Sequence, residues 1–262
     1  MPGRAAPAGP DAGPLMTGVT GKDPGRPGSG RALPGRGVSR PGRTLPAWPS
    51  VLAVVAHPDD ETFGLGAVLD RMTADGTAVH ILCYTRGEAS TLNQSGADLR
   101  RAREQELRHA SRELGVATVT LLDYPDGRLE SVSPGELAGH VAWVAARSHA
   151  DGLLVFDDTG ITGHPDHQAA TRAAVQAAGA AGLPALAWAL PAAIADRLRE
   201  ETGQPFAGQP PCRIDVCVRV DRARQRRAAL LHETQISPAA VLWRRLQLQA
   251  DCEHLRWLIP PG

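Results

Sequence analysis

Two short stretches of the chain end an apolar run on the same three residues. The first is Val54-Val55-Ala56-His57-Pro58-Asp59-Asp60-Glu61, and the second reaches His164-Pro165-Asp166-His167. His57 and Asp60 are three positions apart, as are His164 and His167, so each pair can face one point at a helix start. Imidazole and carboxylate together suit Zn2+. A catalytic zinc takes three protein ligands, keeps a position for water and lowers that water's pKa to about 7. A carboxylate outside the ligand set could then take a proton. A histidine outside it could stabilise an oxyanion or protonate a departing amine. The simpler reading of the first stretch is a helix start, where proline fits the first turn and the dipole favours acids. A lone histidine would equally be a structural or surface residue. The echo raises both stretches above those readings, provided the chain brings them together.

The surrounding pattern offers a way to do so. Strand-like runs cover 51–56, 78–84, 117–122, 152–156, 185–190 and 213–220, rich in apolar and β-branched residues. Helical spacing covers 62–75, 99–114, 134–148, 165–181, 223–232 and 239–255. Strands alternating with helices predict an α/β fold with a mostly parallel sheet covered on both faces. Ligands in such sheets bind beyond the carboxyl ends of the strands. Both His-Pro-Asp stretches follow strands, so parallel strands would carry them to one end of the sheet.

Composition narrows the function classes. The chain has 262 residues, 42% of them apolar, enough for a sizeable core. Formal charge is zero, but residues 1–50 hold seven Lys+Arg and two Asp+Glu, a net of +5, which leaves −5 on the other 212 residues. A mildly acidic body lacks the basic face that nucleic-acid binding needs. Gly and Pro fill 21 of the first 50 positions, which predicts a disordered tail over 1–49 ahead of one domain over 50–262. Cys83, Cys212, Cys217 and Cys252 lack metal-binding spacing and read as free thiols in a reducing compartment. No apolar run reaches membrane-spanning length and the N-terminus has no continuous apolar signal core, so a cytoplasmic protein is expected. Oligomeric state is not legible.

"AHPDDE" followed by "GHPDH" resembles the zinc-dependent de-N-acetylases of the PIG-L and LmbE-like family, over about 51–235. Further matches are Thr85-Arg86-Gly87-Glu88, the helix carrying Arg103, Glu106 and Ala110, Tyr124-Pro125-Asp126-Gly127, and His232-Glu233-Thr234-Gln235. The resemblance implies a Rossmann-like three-layer sandwich. It implies His57, Asp60 and His167 as ligands of zinc or another divalent cation, Asp59 as general base, and His164 as the residue that stabilises the oxyanion and assists the amine. The implied substrate is a small N-acetylated amino sugar, with Arg103 and Asp126 as candidates to orient it or to hold the site together. Arg86, on the loop after the second strand, is a candidate for an anionic substrate group. Arg103 and Glu106 alternatively form a helix i,i+3 pair. Glu61, Asp166 and one of Asp157 and Asp158 are candidates to hold a ligand histidine in place.

Other chemistries stay open. They are an amidase acting on another small amide such as a mycothiol conjugate, a phosphoesterase, and a non-catalytic metal-binding protein. A dinucleotide site is disfavoured because no G-x-G-x-x-G opens the first helix and carboxylates there would repel a pyrophosphate. A serine hydrolase is disfavoured because G-x-S-x-G is missing.

Overall fold

The structure, a computed structural model, describes residues 41–92 and 98–262. The expected disordered tail therefore lies outside the described residues as far as residue 40.

The first strand shows why the sheet is interior. In β1 (Ser50–Val55) every residue is buried, so both faces need cover. Val51, Ala53 and Val55 enter one apolar cluster, while Leu52 and Val54 enter another across the sheet. The period-two alternation of a strand dictates that division. Along the chain follow α1 (Asp60–Phe63), α2 (Gly66–Ala74), β2 (Ala78–Thr85), α3 (Leu99–Glu113), β3 (Thr118–Tyr124) and α4 (Pro134–Arg147). Next come β4 (Gly152–Phe156), the irregular turn α5 (Gly160–Gly163), α6 (Pro165–Ala181), β5 (Ala185–Trp188) and α7 (Ala192–Thr202). The remainder is β6 (Val216–Arg219), α8 (Ala223–Leu230), α9 (Val241–Gln249) and β7 (Cys252–Ile259). Helices α4 and α6 cover one face. Six buried alanines of α6, from Ala169 to Ala178, leave room for its backbone to lie close to the sheet. Helices α2, α3, α7 and α8 contribute to the other face.

The strand order is β3-β2-β1-β4-β5-β7-β6. Strands β1 to β5 are parallel, and β7 runs antiparallel to both β5 and β6. The expected α/β fold with a mostly parallel sheet is thus the observed one. Because the chain winds outward from β1 through β2 to β3 and then returns to β4 on the other side of β1, the order reverses between β1 and β4. A crevice opens at such a reversal, beyond the carboxyl ends of the strands.

Four local expectations are corrected. The helix read over 62–75 is two pieces broken at Gly64–Leu65. A Cβ on Gly64 would lie 2.3 Å from the Phe156 ring, so glycine there admits the ring. The helix read over 239–255 stops at Gln249. Ala250, with φ 49°, turns the chain out of the helix and toward β7. Helix α7 has no counterpart in the sequence pattern, and the strand read over 213–220 shortens to β6 after a 3-10 turn at Pro211–Arg213. Residues 41–49 lie against the sheet. Gly42 exchanges backbone hydrogen bonds with Asp215 and Cys217 at 2.7 and 2.8 Å, and Trp48 packs edge-on to Trp257. A Cβ on Gly152 would fall 2.4 Å from the Trp48 ring, so glycine at the start of β4 makes room for this indole. Among the described residues no helix is long and apolar enough to cross a membrane.

Candidate metal centre

The reversal between β1 and β4 brings both His-Pro-Asp stretches together. His57 and Asp60 follow β1, while His164 and His167 follow β4. Ligand-competent atoms of His57, Asp60 and His167 all lie within 4.8 Å of one another. Asp60 Oδ2 accepts from the backbone N–H of Ala56 and His57 at 3.1 and 2.9 Å, which fixes the carboxylate. Its Oδ1 stands 3.1 Å from His167 Nε2. His167 Nδ1 lies 3.2 Å from the Gly160 carbonyl, and a carbonyl only accepts, so Nδ1 carries the proton. With only that proton on the ring, Nε2 would present a lone pair to a carboxylate oxygen. Two acceptors facing each other call for a cation, or a further proton, between them.

His57 repeats this logic from the other side. Its Nε2 lies 3.1 Å from Asp126 Oδ1 and 3.2 Å from Asp166 Oδ2, so that N–H donates to two carboxylates. Nδ1 is left on the side of Asp60, 3.6 Å from Oδ2. A carboxylate behind a ligand histidine fixes its tautomer and raises its basicity. Burial pushes the His57 pKa down, but Asp126, Asp166 and Asp60 together hold it well above the usual histidine range. Burial pushes Asp60 up, and His167 and His57 bring it well below the usual carboxylate range. The donors therefore favour positive charge at their centre, and two imidazoles with one carboxylate fit a divalent cation.

Asp59 stands beside this cluster. Its backbone is left-handed, φ 105° and ψ −29°, a conformation that costs energy in a non-glycine residue and recurs at functional sites. Two supports hold it there. From one side Arg103, buried on α3, donates to Asp59 Oδ2 at 3.0 Å, to the Gly87 carbonyl at 2.6 Å and to the Pro58 carbonyl. Gly87 has φ 68°, and a Cβ there would sit 2.3 Å from the guanidinium carbon, so this glycine is needed for the approach. From the other side the fully buried Glu61 accepts from the Asp59 N–H at 2.9 Å, and its other oxygen meets His232 Nε2 at 2.7 Å. Burial pushes the Asp59 carboxyl up to about 6, against the pull of Arg103.

His164 completes the mouth. Its Nδ1 accepts from the Asp166 N–H at 3.2 Å, so the neutral ring carries its proton on Nε2 and can donate it. Burial, then the neighbouring His167 and His57, lower its pKa.

The other sequence candidates divide between the site and its supports. Asp126 accepts from Ala89 N–H at 2.8 Å besides meeting His57, so its carboxylate is engaged within the protein. Asp166 is fully buried and accepts from Gly127 and Leu129 N–H, tying the turn after β3 to the start of α6. Arg86 is paired with Glu104 and with Asp123 at 2.7 Å, and it does not line the cavity around the ligand cluster. Arg103 and Glu106 do not pair with each other. Glu106 accepts from the Thr234 N–H at 2.8 Å and from its hydroxyl at 2.7 Å. Asp157 touches no ligand histidine, because it is occupied by Thr159, Gln209 and Arg256. Asp158 pairs with Arg256. The sequence pattern alone gives His232 no role. Its motif is visible, but its partner Glu61 lies 171 positions away. All four cysteines are free.

Two cavities meet at the cluster. One, of about 310 Å³, is polar and lined by His57, Asp126, His164, Ser90 and Gln235 among others. The second, of about 200 Å³, is walled largely by aromatic and aliphatic side chains. Asp59, Asp60 and His167 line both.

Residues 52–178 match the family described as PIG-L, GlcNAc-PI de-N-acetylase. A probable N-acetylglucosaminyl-phosphatidylinositol de-N-acetylase of Schizosaccharomyces pombe is 32% identical over 133 residues, 48% of this chain and 51% of that protein. A 1D-myo-inositol 2-acetamido-2-deoxy-alpha-D-glucopyranoside deacetylase of Streptomyces scabiei is 34% identical over 177 residues, 58% of this chain and 53% of that one. The chain thus spans about half the length of the curated relatives it matches. Among solved structures, the N,N'-diacetylchitobiose deacetylase of Pyrococcus horikoshii superposes with a TM-score of 0.58 at 20% identity, covering 81% of this chain and 85% of that one. That likeness is one of fold.

Proposed function

From the match of residues 52–178 to the PIG-L family, we propose that this chain is a metal-dependent amide hydrolase that frees the amine of an N-acylated amino sugar. The observation that carries the reading is the opposition of His167 Nε2 and Asp60 Oδ1 at 3.1 Å with His167 Nδ1 committed to a carbonyl. Such a pair suits a cation held between its two acceptors. His57, Asp60 and His167 would hold it, zinc or another divalent ion. Bound there, the ion supplies Lewis acidity and makes water a better nucleophile at neutral pH.

The chain's own residues divide the remaining work. Asp59, outside the ligand set and steadied by Arg103 and Glu61, takes the proton of the attacking water at its carboxylate. His164 offers Nε2–H to the oxygen that gains charge as the carbonyl becomes tetrahedral and so assists departure of the amine, whose nitrogen receives the proton that Asp59 took from the water. Asp126 and Asp166 keep the His57 tautomer fixed throughout. The relatives, whose names place their action on N-acetylglucosaminyl lipids and inositol glycosides, support an amino-sugar substrate. With Asp126 and Arg103 engaged inside the protein, their part is to position the site, and Arg86 has no assigned substrate contact.

Metal analysis and an amine-release assay test the reading together. The purified protein should hold about one divalent ion per chain, lose hydrolysis of N-acetylglucosamine conjugates on chelation and regain it when the ion is restored. Full turnover by metal-free protein would defeat the proposal.

A further inference from the structure

The second cavity has no use in the chemistry described so far. Its walls are mostly apolar, from Phe63, Phe156, Ile161, Trp188, Phe206 and Leu242, with Arg245 among them, yet it reaches Asp59, Asp60 and His167, the residues shared with the polar cavity. A hydroxyl-rich sugar fits the polar side, where Ser90, His164 and Gln235 offer hydrogen-bonding groups. An amide whose nitrogen enters from that side must point its acyl carbon at the other. A methyl group would contact little of a largely apolar space of about 200 Å³.

We propose that the aromatic cavity is an acyl subsite, and that this chain prefers amides whose acyl group is apolar and larger than acetyl, such as a medium-chain or aryl group. The inference rests on the amide-hydrolase reading and specifies its substrate class. The walls are set by the fold. Phe156 ends β4, Trp188 ends β5, and the two rings lie 5.4 Å apart. Arg245 of α9 stacks over Trp188 at 4.7 Å and donates to the Phe63 carbonyl, fixing α9 and the end of α1 against each other. Trp188 Nε1 donates to the buried Glu253 at 2.7 Å, which sets the tilt of the indole. The cavity is therefore a preformed space, of the apolar kind that binds apolar ligand groups.

The test is a substrate series on one amine, with metal-loaded full-length protein. N-acetyl-, N-hexanoyl- and N-benzoylglucosamine are compared by amine release, beside an octyl glycoside of N-acetylglucosamine that carries its apolar group on the sugar side. The hexanoyl or benzoyl amide should exceed the acetyl amide at least tenfold in kcat/KM. Leu242→Trp, which fills the cavity, should lower that ratio at least tenfold. An acetyl preference, or a gain confined to the octyl glycoside, would overturn the subsite while leaving amide hydrolysis intact. If no amide is cleaved, the hydrolase reading fails on its own, and calorimetry of the same ligands still decides the subsite. At least tenfold tighter binding of the hexanoyl or benzoyl ligand than the acetyl one, abolished by Leu242→Trp, upholds it, and equal binding rejects it.

Discussion

Asp59 shows how one residue is kept apart from neighbours of the same chemistry. Asp60 and Glu61 follow it directly, yet the three carboxylates have separate tasks because the backbone at Asp59 turns left-handed and the chain enters α1 only afterwards. Asp60 faces the histidines, Glu61 turns back to His232, and Asp59 is left with Arg103. Replacing Asp59 by Asn should therefore leave metal content unchanged while lowering kcat by about 10²- to 10⁴-fold, the usual worth of a positioned acid or base. Metal analysis beside amine release checks both halves, and loss of the ion would place Asp59 in the ligand set instead. The candidates with local spacing, His57 with Asp60 and His164 with His167, are legible from the sequence. What orients them is less so. His57 meets Asp166 across 109 positions, and Glu61 meets His232 across 171. Such pairings depend on which strands become neighbours, a property of topology and not of spacing.

At the scale of elements, α3 acts as a clamp. Arg103 and Glu106 have the spacing of an intrahelical pair, but each reaches away from the helix. Arg103 holds the loops after β1 and β2, and Glu106 holds the segment after α8 through Thr234. Gln235 continues that segment into the site mouth, where it accepts from Ser90 at 2.7 Å. Removing the carboxylate in Glu106→Ala leaves two Thr234 donors without their partner and should cost about 1–3 kcal/mol. Urea denaturation should show a lower midpoint with an unchanged slope. Strands β1 and β4 are readable because they are nearly continuous apolar runs, as buried parallel strands are, and β2 is one from Ile81 to Tyr84. Strand β7 is not, since Glu253, His254 and Arg256 interrupt it and the leucines of α9 continue helical spacing into it. Those polar residues belong in a strand because partners from other elements wait for them, Trp188 and Arg222 for Glu253, and Asp157 for Arg256.

For the whole molecule, the Asp157–Arg256 pair ties the end of β4 to β7, with Gln209 donating to the same carboxylate. Burial pushes the Asp157 pKa up, but Thr159 and Arg256 pull it below the usual carboxylate range. A carboxyl with a lowered folded-state pKa stabilises the fold above its unfolded value, roughly 3.9, and loses that contribution as pH falls through the folded value. Asp157→Asn should therefore melt well below the wild type at neutral pH, with the gap in Tm narrowing below about pH 4. A gap that stays constant into acid would mean that packing, and not charge, is what the substitution removes. The position of β7 has one more consequence, for the order in which the protein is made. It lies between β5 and β6 but comes after both in sequence, so β6 leaves the ribosome before the strand it must pair with. Until β7 inserts, Asp157 lacks Arg256 and Trp188 lacks Glu253. Trp188, a wall of the aromatic cavity, thus gains its Glu253 partner only from a strand synthesised after the six others described, and a growing chain can carry His57, Asp60 and His167 before that wall is fixed.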